Sequence, residues 1–267
     1  MDERQARAWA ALDLGPLWIR RHAPAHDVAE AIDDAGKDAV HPVAAAAVRA
    51  GQGSLPGSQA IDQGPASSAP DPASLDRPPS DWSGLREAVA QCRLCGLCET
   101  RTQTVFGVGD TRARWMFVGE APGAEEDARG EPFVGQAGKL LDAMLAAVGT
   151  GRQADVFIAN VLKCRPPNNR NPEPDEVARC EPYLQRQIEL VSPRVVVAMG
   201  RFAAQSLLRT DATIATLRGK VHRYGVGDRD VRLVVTYHPA YLLRNPADKS
   251  KAWADLCLAM DCLVDGN

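Results

Sequence analysis

No apolar run in this 267-residue chain approaches the roughly 20 residues that a membrane-spanning helix needs. No such helix is expected. The start, Met1-Asp2-Glu3-Arg4, has neither the basic opening nor the apolar stretch of a secretory leader. A cytoplasmic protein is expected, in which the seven cysteines serve as thiols or metal ligands and not as disulfides. Nor is there a surplus of positive charge: the formal net charge is −3. That balance is uneven, with residues 1–80 at −4 and residues 81–267 at +1. A near-neutral domain still binds DNA when its basic residues gather on one face, because the phosphate interaction is local and screened by salt. No internal repeat is present.

Phe, Tyr and Trp are missing from about residue 40 to residue 80, where Ala, Gly, Ser, Pro and Gln predominate. Such a stretch buries too little apolar area to offset its ordering entropy, so a disordered linker is expected over 41–80. Before it, an acidic segment (1–40) carries Trp9, Leu12, Leu14, Leu17, Trp18 and Ile19 around Gly15-Pro16. Two tryptophans in so short a piece suggest docking, on the chain's own catalytic part or on a protein partner that takes residues 9–19.

From residue 81 to the end the pattern alternates. Strands are expected at 114–118, 156–159, 194–199, 220–224 and 232–236. Helices are expected at 85–92, 135–148, 173–191, 202–208 and 247–263. Pro182 falls inside the third of these helices and is expected to kink or split it. Strands separated by helices predict an α/β fold of three layers, α/β/α, around a central, mainly parallel sheet.

The stretch from Trp115 to Gly135 is the most informative. An apolar run stops at Gly119, and a loop with Pro122, Gly123, Gly130, Pro132 and Gly135 then presents Glu120, Glu126 and Phe133. Open α/β sheets put their binding sites at this carboxyl edge. Two further apolar strands end the same way, one at Asn160 and one at His238-Pro239. An acid, an amide and an imidazole converging on one edge make a pocket. Arg165, Arg170, Arg218, Lys220, His222 and Arg244 crowd the same loops. A flat polar ring with attached phosphates, such as a nucleotide, is the ligand such a set suits.

Cys92, Cys95 and Cys98 repeat at C-x2-C spacing, and Cys164 and Cys180 flank one later loop. Four of these five can complete a tetrathiolate site. Zinc and an iron–sulfur cluster both take four cysteines, and spacing does not separate them. Cys257 and Cys262 fall among apolar residues of the last helix and read as core thiols.

The motifs Gly119-Glu-Ala-Pro-Gly-Ala-Glu-Glu-Asp127, Pro132-Phe-Val-Gly135, Asn160-Val-Leu-Lys-Cys-Arg-Pro-Pro167, Leu217-Arg-Gly-Lys220 and His238-Pro-Ala-Tyr-Leu-Leu-Arg-Asn-Pro246 occur in this order. Together, over about residues 84–262, they resemble the iron–sulfur uracil-DNA glycosylases, family 4 of that superfamily. The resemblance implies a DNA-repair hydrolase that excises uracil from single- or double-stranded DNA, acting as a monomer. It implies a [4Fe–4S] cluster on Cys92, Cys95, Cys164 and Cys180. It implies a pocket of Glu120, Glu126, Phe133, Asn160 and His238: Phe133 stacks on the flipped base, Asn160 reads its edge and His238 donates to O2. Arg165, Arg170 and Arg244 are expected on the DNA, with Leu242 at the position of the residue that wedges into the vacated stack. Where the best-known family of the superfamily has a water-positioning Asp, this chain has Ala121, which leaves Glu120 as the expected catalytic carboxylate. The alternative within the superfamily is a protein that caps uracil sites without turnover. Some such relatives bond covalently through a His on the loop that here runs from Cys164 to Pro172, and this loop has no His.

Overall fold

The computed structural model describes residues 78–227 and 229–264. The expected docking segment with Trp9 and Trp18 lies outside them, as does the expected linker up to residue 77.

Six strands form one sheet: β1 (Val108–Gly109), β2 (Trp115–Gly119), β3 (Val156–Asn160), β4 (Val195–Met199), β5 (Val221–Val226) and β6 (Arg229–Thr236). Their order is β1-β3-β2-β4-β6-β5. The central four are parallel, and β1 and β5 close the edges antiparallel. The helices are α1 (Trp82–Gln91), α2 (Leu97–Thr100), α3 (Ala124–Arg129), α4 (Gln136–Ala147), α5 (Pro174–Val191), α6 (Arg201–Leu208), α7 (Ile214–Leu217), α8 (Pro239–Arg244) and α9 (Lys249–Val264). Among the described residues no helix is long and apolar enough to cross a membrane.

Every residue of β2, β3 and β4 is buried, as a sheet covered on both faces requires. Successive side chains take opposite faces. Met116, Val118, Phe157, Ala159, Val196 and Ala198 meet α1, α5 and α6 on one side. Trp115, Phe117, Val156, Ile158, Val195 and Val197 meet α4 and α9 on the other. This is the three-layer arrangement expected.

Two local expectations differ. Helix α5 runs through Pro182 without a break over 18 residues. The carbonyl that Pro182 leaves without its helical donor belongs to Ala178, which is exposed, so water can take the place of the lost bond. The loop after β2 contains a helical turn, α3, capped in a left-handed conformation by Gly130 at φ 73°. In sequence its three acids resemble a solvated loop, whereas at a helix start they favour the N-terminal dipole.

Candidate active site

The registers Gly119↔Asn160 and Met199↔Thr236 bring the ends of β2, β3, β4 and β6 to one edge. There a cleft open to solvent is lined by five of the expected residues: Glu120, Glu126, Phe133, Asn160 and His238.

Gly119 is the hinge of this arrangement. A Cβ at Gly119 would lie 2.4 Å from Asn160 Oδ1 and 2.6 Å from Phe133 Cζ, so the two side chains converge only because residue 119 has none. Asn160 is 2% exposed, and its Oδ1 accepts no hydrogen bond in the described structure. A buried acceptor left unmatched costs about 1–3 kcal/mol, which a donor on a ligand recovers. Phe133 is buried at φ 55°, a conformation a bulky residue rarely adopts. Arg152, which the sequence does not single out, holds it there. Its guanidinium donates to the carbonyls of Pro132 and Phe133 and is itself held by Asp142 at 2.5 Å.

The two carboxylates of the loop do different work. Both oxygens of Glu126 are committed to backbone donors. Oε2 accepts from Gly123 N at 3.1 Å, and Oε1 accepts from Val134 N at 3.0 Å and Gly135 N at 3.3 Å. The residue ties the start of the loop to its end. Glu120 has no such bond among the described residues. Burial raises its pKa to about 7, with the nearby Arg201 guanidinium opposing the rise.

His238 caps α8, and its Nδ1 accepts from Ala240 N at 3.1 Å. An amide N–H only donates, so Nδ1 is unprotonated and the ring proton sits on Nε2. Burial, aided by the Arg244 cation, lowers its pKa to about 4. The ring lies beside Phe133, centroids 5.4 Å apart.

The expected DNA-contacting residues are sorted by their partners. Arg244 is exposed at the cleft. Arg170 also lines it, but both its terminal nitrogens are held by Glu176, at 2.9 and 2.6 Å, so its charge is largely neutralised. Arg165 is outside the lining and donates to Asn169 Oδ1 at 2.8 Å. That interaction borders the cleft, since Asn169, absent from the expected set, does line it. Arg218 and His222 serve the fold: Arg218 pairs with the buried Asp255 at 2.7 Å and lies over Tyr237, and His222 bonds the Leu217 carbonyl.

Leu242, expected at the wedge position, is enclosed by the fold. It is 1% exposed and part of the core, because its position on α8 turns it toward α4 and α9 and not outward. Its neighbour Leu243 is 45% exposed and is the leucine offered to solvent beside Arg244.

On the far side of the Ala121 loop, Cys92, Cys95, Cys98, Cys164 and Cys180 line one small cavity. Arg101 donates to Cys164 Sγ at 3.0 Å, and Lys163 N donates to Cys180 Sγ at 3.3 Å. Burial pushes the Cys180 thiol up to about 12 and also raises Cys95 and Cys164, so their ionisation in this cavity calls for positive charge. Among the described residues no three His, Cys, Asp or Glu groups gather closely enough to hold a single metal ion. Cys262 is buried in the core, as expected, whereas Cys257 is only partly buried.

The family model of the uracil DNA glycosylase superfamily matches residues 106–257. The type-4 uracil-DNA glycosylase of Archaeoglobus fulgidus is 50% identical over 59% of this chain and 81% of its own length. That of Sulfurisphaera tokodaii is 43% identical over 61% of this chain and 76% of its own. That of Pyrobaculum aerophilum is 42% identical over 67% of this chain and 92% of its own. With the strand-end cleft and the thiol cavity in the same chain, these matches lead to one conclusion: the chain belongs to the type-4 group of the uracil DNA glycosylase superfamily.

Proposed function

We propose that this protein hydrolyses the N-glycosidic bond between uracil and deoxyribose in DNA, releasing free uracil and leaving an abasic site for repair. The observation that carries the reading is the buried, unmatched Oδ1 of Asn160 beside Phe133 and a neutral His238. Uracil presents N3–H as a donor next to O4 as an acceptor, and the Asn160 amide complements both. Cytosine carries an acceptor at N3 and a donor at C4, and it leaves the amide with like facing like. Mismatch of this kind discriminates by orders of magnitude when the site is buried. The base reaches the cleft by flipping out of the stack, at a few kcal/mol.

Breaking the C1′–N1 bond leaves negative charge on uracil, largely at O2, and positive charge on the sugar. His238 meets the first as a neutral Nε2–H donor, a tautomer supported by the Ala240 bond. Glu120 answers the second. With a pKa about 7 it is partly ionised at neutral pH and orients the water that adds to C1′, in a loop where Ala121 offers no carboxylate. Glu126 contributes by holding the loop, and Arg244 and Leu243 face the strand.

The five-cysteine cavity and the similarity to type-4 uracil-DNA glycosylases support a [4Fe–4S] cluster, which takes one thiolate per iron. N–H donors already aimed at two of the sulfurs fit such a group. Cys92, Cys95, Cys164 and Cys180 would hold it, and its role would be to brace the loops that carry Ala121 and Arg165.

The direct test is incubation with single- and double-stranded DNA containing one uracil, with free uracil measured and abasic sites revealed by alkali. Release of uracil at turnover is expected. DNA bound without release, or carried covalently, would replace this reading with that of a capping protein.

A further inference from the structure

We propose that Lys163 is a positioning residue that couples the thiol cavity to the base-reading amide of Asn160. The proposal rests on the cluster reading above and deepens it.

Three residues after β3 ends at Asn160, the chain doubles back on itself. Lys163 Nζ donates to the Asn160 backbone carbonyl at 2.8 Å and to Gln187 Oε1 at 2.6 Å. Gln187 in turn donates through Nε2 to the Phe106 carbonyl at 2.8 Å. From its other end, Lys163 donates its backbone N–H to Cys180 Sγ at 3.3 Å. Lys163 is 1% exposed and Gln187 is fully buried. One continuous buried line of polar contacts therefore runs from a cavity sulfur to the strand end that presents Asn160.

A buried ammonium is costly unless an opposite charge accompanies it. Among the described residues no carboxylate forms an ion pair with Lys163. The cavity sulfurs lie at its own backbone: its N–H meets Cys180 Sγ at 3.3 Å, and Cys164 follows it in the chain. Four thiolates around a [4Fe–4S] core carry net negative charge, so a loaded cavity supplies the counter-charge the lysine lacks. The ammonium then stays in place and keeps the Asn160 carbonyl clamped. The cavity thus sets how well the pocket reads uracil, even though no cysteine lines the cleft.

The test uses the full chain with its iron. Lys163→Met keeps the length of the side chain and removes its charge and donors. Iron content, the midpoint potential of the cluster and inhibition by free uracil are measured. The expected result is a potential more negative than that of the unaltered protein, because a nearby cation favours the added electron. Uracil inhibition is expected to weaken roughly tenfold, the worth of about one hydrogen bond to a charged group. In an Asn160→Ala background the same change should weaken inhibition little further, since the lysine acts through Asn160. Unchanged potential and inhibition in Lys163→Met would overturn the proposal, as would a full additional loss in the Asn160→Ala background. Should Lys163→Met not accumulate as folded protein, Gln187→Glu decides. It leaves the ammonium bonded and adds a negative charge, so a more negative potential supports the coupling and an unmoved one overturns it. Absence of iron from the unaltered protein is a separate result that removes the cluster reading itself.

Discussion

The Nδ1 of His238 accepts the backbone N–H of Ala240 at 3.1 Å, and this single bond decides what the imidazole can do. Its remaining proton is on Nε2, in a ring whose centroid lies 5.4 Å from that of Phe133. Removing one donor to a developing anion typically costs about 100- to 1000-fold in rate. His238→Ala is therefore expected to lower single-turnover excision by that order while leaving the affinity for abasic-site DNA largely unchanged. Equal loss of binding and rate would contradict the role.

The pH profile should distinguish Glu120 from His238. His238 protonates only near 4, so it places no limb in the profile around neutrality. Glu120 titrates at about 7, and if its ionised form orients water, excision rises with pH through that value. Glu120→Gln should lower the rate and flatten this limb. A limb that survives in Glu120→Gln belongs to another group.

The same shift has a consequence for stability. The folded-state pKa of Glu120, about 7, lies above the value of 4.5 for a free carboxyl, so the folded protein holds this proton more tightly than the unfolded chain. The contribution favours folding fully below about 4.5 and is lost as pH rises through about 7. Thermal unfolding of Glu120→Gln should therefore occur at higher temperature than that of the unaltered protein near pH 8, and at nearly the same temperature near pH 4.

Glu126 is expected to behave as a brace. Glu126→Ala frees three backbone donors at once, at Gly123, Val134 and Gly135. A loss of about 1–3 kcal/mol in chemical denaturation is expected, accompanied by slower excision, and Glu126→Gln should recover part of both because one oxygen can still accept. A variant with unaltered stability and no activity would instead make Glu126 a direct participant.

The two leucines of α8 separate fold from function. Leu242→Ala empties a core position and should cost about 2–5 kcal/mol of stability. Leu243→Ala should leave stability within about 0.5 kcal/mol, as surface changes do, and lower excision from duplex DNA more than from single strands. Opposite results would restore Leu242 as the wedge.

Much of this was legible without coordinates. β2, β3 and β4 read as buried strands because sheets covered on both faces leave continuous apolar runs, and Glu120, Asn160 and His238 stood out as polar groups that ended such runs. Helix α3 did not, because Glu125, Glu126 and Asp127 look alike on a solvated loop and at a helix start. Leu242 and Leu243 are adjacent leucines after the same His-Pro, and only the packing of α8 against the core tells them apart. Arg152 and Lys163 carry no local mark: one reaches 19 residues back to the Phe133 carbonyl, the other 24 residues ahead to Gln187.

The order of residue types along the chain determined that an acid, an aromatic ring, an amide and an imidazole would meet at one sheet edge, since strand direction and alternation follow from local pattern. Which atoms of those residues remain available was decided only by the tertiary structure. Glu126 spends both oxygens on the backbone, Glu120 and Asn160 Oδ1 keep theirs, and His238 has its tautomer chosen by Ala240. Hydrogen-bond partners are assigned by where the folded backbone places its N–H and C=O groups, and no spacing in the sequence encodes those distances.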